Sequence, residues 1–409
     1  MEQTKRLTFW VAVLYTAEGL PFGVVSKIWP VWFRSAGVSL KEIGLMSLLS
    51  LPWSWKPLWA PLVDRFGSRK VWILGALTAL GILTALQPVF GPRALGVGLL
   101  LLLLAFTFSS ATQDIAIDAW TVEVARGKLL GWLNGVRASA YRVAVIVSGG
   151  VALLVADRWG WSVAWWLLTM IFVGLALLVL FLPTSKTEGS GQAEAPARET
   201  IPQLFRGFLA WALRPQMVPV LLFALLYKLG DQTMGKMVEP FWLDHGMTLS
   251  EIGLVSNTLG LGLTILGALL GGSFVSRYGL FQGLLWLGVG QAVSNLGYAS
   301  VAGLSLPREA IYVASAFESL TQGLGTAALL AFLTAACRPE HAATEYALLS
   351  SLFAFSREIA GAVSGFLAEG LGYPAFFLLT TLLALPALLL LPWLRPSLRS
   401  IESQTPGVV

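Results

Sequence analysis

The sequence predicts an all-α polytopic membrane protein of twelve transmembrane helices, built as two pseudo-symmetric six-helix halves. Three observations carry this. The 409 residues are 56% hydrophobic and only 12% charged, about half the roughly 25% charge of a soluble domain. Apolar stretches of the ~20 residues needed to cross a bilayer centre near Leu20, Leu51, Leu80, Thr107, Arg142, Ile171, Leu229, Gly262, Leu287, Gln322, Arg357 and Leu383. The chain also repeats itself at an offset of about 210 residues.

The repeat is explicit. Pro30-Val-Trp32…Gly37-Val-Ser-Leu-Lys-Glu42-Ile-Gly-Leu45 matches Pro240-Phe-Trp242…Gly246-Met-Thr-Leu-Ser-Glu251-Ile-Gly-Leu254. Asp64-Arg65-Phe-Gly67 matches Ser276-Arg277-Tyr-Gly279, and Asp157…Gly160-Trp161 matches Glu369…Gly372-Tyr373. Between the halves, Thr184–Thr200 has the small, polar composition of a linker. Residues 201–215 set Leu204, Phe205, Phe208, Leu209 and Trp211 against Arg206 and Arg214, the pattern of an amphipathic helix on the membrane surface. The expected organisation is therefore 1–183, a linker at 184–215, 216–395, and a tail at 396–409.

Charge placement explains the pI near 9.4 without nucleic acid. Lys5, Arg6, Arg65, Arg69, Lys70, Arg126, Lys128, Lys186, Arg198, Arg206, Arg214, Arg277, Arg338, Arg395 and Arg399 fall at the termini and in even-numbered loops. The odd-numbered loops hold only Arg34, Lys41, Arg93, Arg158 and Arg308. By the positive-inside rule both termini are cytoplasmic, and the expected location is the inner membrane. The apolar run after Lys5-Arg6 continues through Glu18 and Lys27 with no small-residue cleavage site, so it reads as the first span. Cys337 is the only cysteine, and His245 and His341 fall in predicted loops, so no disulfide, metal site or cofactor is expected. Gly230-Asp-Gln-Thr-Met-Gly235-Lys236 approaches a phosphate-binding loop, but Met237 replaces its hydroxyl and the segment lies in an apolar span. No enzymatic constellation emerges.

Intramembrane charge carries the functional reading. Asp114 and Asp118 lie one turn apart, on one face of the fourth span. A charge at the bilayer centre costs about 2.5–3.5 kcal/mol, so such residues are retained for a task. Spans three, six, nine and twelve carry none. A rise of ~1.5 Å per residue sets Glu18, Arg142, Lys228, Asp231, Glu318, Arg357 and Glu358 near the midplane, with Gln322 one turn from Glu318. Asp114, Asp118 and Arg137 lie nearer the cytoplasm. Glu18 and Lys228 occupy equivalent places in the two repeats, which makes them a candidate ion pair. Gly267/Gly271, Gly361/Gly365 and Ala144/Ser148 predict close helix approach.

Two resemblances follow. Ala60-Pro-Leu-Val-Asp64-Arg65-Phe-Gly67-Ser-Arg69-Lys70 resembles the loop signature of the major facilitator superfamily, G-x-x-x-D-R-x-G-R-R/K, with Ala60 in place of the first glycine and the basic pair shifted by one. Such a loop makes Asp64 and Arg65 candidate latch residues. Glu18-Gly-Leu-Pro21, Thr112-Gln-Asp114-Ile-Ala-Ile-Asp118-Ala119, Tyr141-Arg142…Ser148-Gly-Gly150, Leu226-Tyr-Lys228-Leu-Gly-Asp231 and Ala343-Thr-Glu-Tyr-Ala-Leu-Leu349 are similar to the AmpG-type muropeptide permeases over nearly the whole chain. The resemblance implies a major-facilitator fold and proton-coupled import of anhydromuropeptides for cell-wall recycling. It also implies functional roles for Asp114, Asp118, Arg142, Lys228 and Asp231. The expected partners are an anionic or zwitterionic small molecule, protons and the bilayer, acting on a monomer. Another solute, such as a siderophore, an acyl-CoA-like anion or a drug, is the alternative cargo. The substrate set is Glu18, Arg142, Lys228, Asp231, Glu318, Gln322 and Arg357; the coupling or gate set is Asp114, Asp118, Arg137, Asp64 and Arg65.

Overall fold

The computed structural model describes residues 2–66, 68–92, 96–124, 130–183, 218–304, 306–336 and 342–404. The linker and amphipathic helix expected at 184–215 lie outside them, as do Gly67, Cys337, His341 and residues 405–409 of the tail. Among the described residues every regular element is helical. Eight helical stretches are long and apolar enough to cross a membrane. One of them, Phe353–Leu394, holds two spans that turn at Gly372. Leu280–Gly303 is a further span, with Gln291, Ser294 and Asn295 in its middle. The second and seventh spans are assembled from short helices, and with these the described chain reaches twelve.

The breaks have local causes. The second span runs Leu40–Leu45, Met46–Ser50, Leu51–Trp55, Lys56–Leu58 and Ala60–Arg65. Pro52, Pro57 and Pro61 each open a new short helix there, where the missing N–H costs least. The seventh runs Val218–Tyr227, Leu229–Gly235 and Val238–Asp244, with Lys228 and Met237 at the joints. Tight α geometry also gives way to π turns at Val24–Ile28 in the first span, Val147–Val151 in the fifth and Ile252–Leu259 in the eighth. Such turns recur at functional sites. The third, fourth, sixth, ninth and tenth spans run unbroken.

The repeat motifs fold for reasons the sequence supplies. Ser39 accepts from the Glu42 backbone N–H while the Glu42 carboxylate accepts from the Ser39 N–H at 3.1 Å. Thr248 and Glu251 make the same reciprocal cap, at 3.1 and 2.7 Å. Each satisfies two orphan donors at the start of a span. Gly160 (φ 86°) and Gly372 (φ 73°) make the matched turns between spans five and six and between eleven and twelve, a region that disfavours any side chain.

Packing divides the chain into two compact units: Met1–Val38, Leu49–Arg198 and Thr248–Asn257 form one, and Ser39–Leu48, Glu199–Met247 and Thr258–Val409 the other. In the second unit Lys41 pairs with Glu369 at 3.2 Å. In the first, Ser250 donates to Asp157. These are the same repeat positions used twice. The small residues do what their spacing predicts. A Cβ on Gly267 would lie 2.1 Å from the Leu320 carbonyl oxygen, and one on Gly365 would lie 2.0 Å from that of Leu40. Ala144 and Ser148 face Gly19 and Gly23. Between helices in lipid such approach supplies the van der Waals contact that hydrophobic burial cannot.

Candidate functional site

In the first unit, Asp114 and Asp118 on the fourth span, Val97–Val124, sit in a cluster drawn from four spans. Asp118 is its hub. The Tyr15 hydroxyl donates to Asp118 Oδ1 at 2.8 Å, and Arg137 Nη2 stands 2.9 Å from the same oxygen. Lys56 Nζ lies 3.8 Å from Asp118 Oδ2 and 3.8 Å from Asp114 Oδ2. The Arg137 guanidinium also lies over the Tyr15 ring, 4.5 Å from its centroid, a cation–π contact. Glu18, one turn after Tyr15, is 9% exposed, and its field partners are Asp114, Asp118, Arg137 and Lys56.

The backbone holds these groups together. A Cβ at Gly19 would lie 2.5 Å from the Tyr141 carbonyl oxygen, so only glycine lets the first and fifth spans close enough to bring Arg137 onto Tyr15. Trp59 Nε1 donates to Thr112 Oγ1 at 3.2 Å, and its ring stacks on Phe108 at 4.7 Å. That contact pins the second span, and Lys56 with it, against the fourth.

In the second unit the centre is a buried ion pair. Lys228 Nζ lies 3.2 Å from Asp231 Oδ2 and donates to the Gln322 carbonyl oxygen at 3.2 Å. Lys228 is 3% exposed and Asp231 9%. The joint at Lys228 turns both side chains inward from one broken helix. Glu318 on the tenth span, Ala310–Ala335, acts on Lys228 through space, and Ser319 donates to it at 3.4 Å. Gln232 accepts from Ser356 at 3.2 Å. Next to these, Arg357 pairs with its neighbour Glu358 at 3.0 Å.

The ninth span adds residues that charge counting passed over. Gln291 and Asn295, one turn apart, are 4% and 0% exposed. Asn295 faces Asp231. A Cβ on Gly325 would stand 2.0 Å from Gln291 Oε1 and 3.4 Å from Lys228 Nζ, so Gly325 leaves room for both. Two amides in an i, i+4 pair within an apolar span were the legible signal.

An apolar recess of about 360 Å³ lies between the third and sixth spans, lined by Leu74, Leu77, Gly81, Val173 and Leu177. Thr78 and Thr169 border it, but their hydroxyls donate to Leu74 and Trp165 within their own helices. It offers no group that would recognise a polar cargo. Among the described residues no cluster of three or more His, Cys, Asp or Glu side chains could hold a metal.

Residues 11–235 and 220–408 match the Major Facilitator Superfamily. The chain is 34% identical over 391 residues to the anhydromuropeptide permease of Escherichia coli (strain K12), covering 93% of this chain and 78% of that one. It belongs to the AmpG-type muropeptide permease family of that superfamily. It is also 26% identical over 396 residues to the putative transporter AmpG 4 of Rickettsia conorii, covering 94% and 96% of the two chains. The crystal structure of the nucleoside transporter NupG shares the fold, with a TM-score of 0.74 at 16% identity, over 94% of this chain and 98% of that one. The chain is a multi-pass membrane transporter and not an enzyme.

Within this AmpG-type chain the expected residues fall into distinct groups. Glu18, Asp114, Asp118 and Arg137 come together, joined by Tyr15 and Lys56. Lys228, Asp231, Glu318 and the Gln322 backbone form the second cluster. Arg142 is exposed and makes no ion pair among the described residues. Arg65 is exposed too, with its guanidinium 5.7 Å from the Phe66 ring centroid, and the Asp64 side chain is outside the described set. The ion pair seen beside that loop is Arg69 with Glu123, at 3.2 Å, with Arg69 also donating to the Val63 carbonyl at 2.9 Å. Neither Glu123 nor Tyr15 carried a sequence signal beyond its residue type.

Proposed function

We propose that this protein imports anhydromuropeptides across the inner membrane by proton-coupled alternating access, as a monomer with both termini in the cytoplasm, and so serves cell-wall recycling. The observation that carries the reading is the 34% identity to a protein named an anhydromuropeptide permease, sustained over 93% of this chain. The site chemistry agrees with such a cargo. Lys228, Arg142 and Arg357 supply cations for its anionic groups, while Asp231 and Glu318 meet amines and hydroxyls and Gln322 adds an amide. Asp114, Asp118 and Arg137 serve the proton or the gate. Asp64 and Arg65 latch the loop after the second span. Net transport requires that cargo and proton each bind one access state more tightly than the other.

The test is growth and uptake in one host that lacks its own permeases, supplied in parallel with labelled anhydromuropeptide and with ferric siderophore. Expression of the chain should restore muropeptide uptake alone. Restored siderophore uptake without muropeptide uptake would overturn the assignment.

A further inference from the structure

Charge counting in the first unit leaves one carboxylate over. Glu18, Asp114 and Asp118 are three acids; Lys56 and Arg137 are the two cations that act on them. The titratable groups that face Glu18 are Tyr15 on its own span, Lys56 on the second, Asp114 and Asp118 on the fourth, and Arg137 on the fifth.

The surplus can be located. Asp118 holds Arg137, Tyr15 and Lys56, which leaves it well compensated. Asp114 shares Lys56 at 3.8 Å, beyond hydrogen-bond reach. No cation stands within ion-pair distance of Glu18 among the described residues. Glu18 Oε2 and Asp114 Oδ1 are both buried without a hydrogen-bond partner, on side chains only 9% and 7% exposed. A buried uncompensated carboxylate is costly, whereas a carboxylic acid is neutral and brings its own O–H donor.

We propose that Glu18 and Asp114 bind the coupling proton between them, while Asp118 remains the ionised anchor of Arg137. This rests on the proton-coupled reading above. The balance is simple. A proton adds to one carboxylate oxygen and the cluster passes from one net negative charge to none; release restores the charge. Asp231 is then an ion-pair partner of Lys228 and not the proton carrier.

Infrared difference spectroscopy of the purified full-length protein in lipid, titrated with pH, tests this without any cargo. The wild type should show one titrating carbonyl band of a protonated carboxyl. E18Q and D114N should each remove it, at least one of E18D and D114E should displace it, and D231N should leave it in place. K56M, which deletes a compensating cation, should raise the signal from one protonated carboxyl to two. A wild type with no such band overturns the proposal. So does a band that D231N removes, or one that neither E18D nor D114E moves. A protein that shows the expected band pattern yet carries no anhydromuropeptide would uphold the proton pair and overturn the cargo.

Discussion

Tyr15 donates its hydroxyl to Asp118 at 2.8 Å, across 103 residues of sequence, onto the oxygen that Arg137 approaches at 2.9 Å. One carboxylate oxygen therefore ties the first, fourth and fifth spans together. Y15F removes the donor and keeps the ring under Arg137. Interhelical hydrogen bonds in membrane proteins are worth about 0.6–2 kcal/mol, so Y15F should lower stability by about 1 kcal/mol. D118N should cost more, because Arg137 and Lys56 lose a shared counter-ion. Denaturation of the purified protein in detergent measures both, and equal losses would contradict the hub.

The Lys228–Asp231 pair predicts a rescue. Removing one partner of a buried pair costs about 3–5 kcal/mol, whereas replacing both by apolar groups is often neutral. K228M should therefore destabilise strongly, and K228M/D231L should recover most of that stability. Cargo uptake should stay lost in both, since Lys228 is assigned to the cargo. Uptake that returns with stability would make the pair structural only.

The glycines of the eighth span predict an asymmetry. Gly267 meets the Leu320 backbone, while nothing lies within 4 Å of a Cβ at Gly272. G267A should cost about 1–3 kcal/mol, the usual range for overpacking, and G272A should fall within about 0.5 kcal/mol of the parent. Thermal unfolding of the two variants side by side checks this.

Much of the fold was written in the sequence because its signals are local or repeated. The apolar lengths, the capping boxes at Ser39 and Thr248, and the turn glycines Gly160 and Gly372 each depend on a few neighbouring residues. Asp114 and Asp118 were legible as a pair because helical periodicity places them on one face. Arg137, set at the same depth on the next span, was legible with them, but their other partners were not. Tyr15 and Lys56 reach them from other spans, and no periodicity encodes which distant helix supplies a donor. Gln291 and Asn295 escaped for a different reason: a search for charge passes over amides, yet both are buried beside the Lys228–Asp231 pair. The joint at Lys228 was hidden too, since none of Tyr227, Lys228 and Leu229 is a helix breaker.

The central claim is that this transporter couples anhydromuropeptide entry to protons. Purified protein reconstituted in liposomes, with labelled anhydromuropeptide outside and an inward proton gradient imposed, tests it most directly. The account predicts accumulation above the outside concentration, abolished by a protonophore. Accumulation that survives the protonophore, or no entry of the cargo under any gradient, would contradict it.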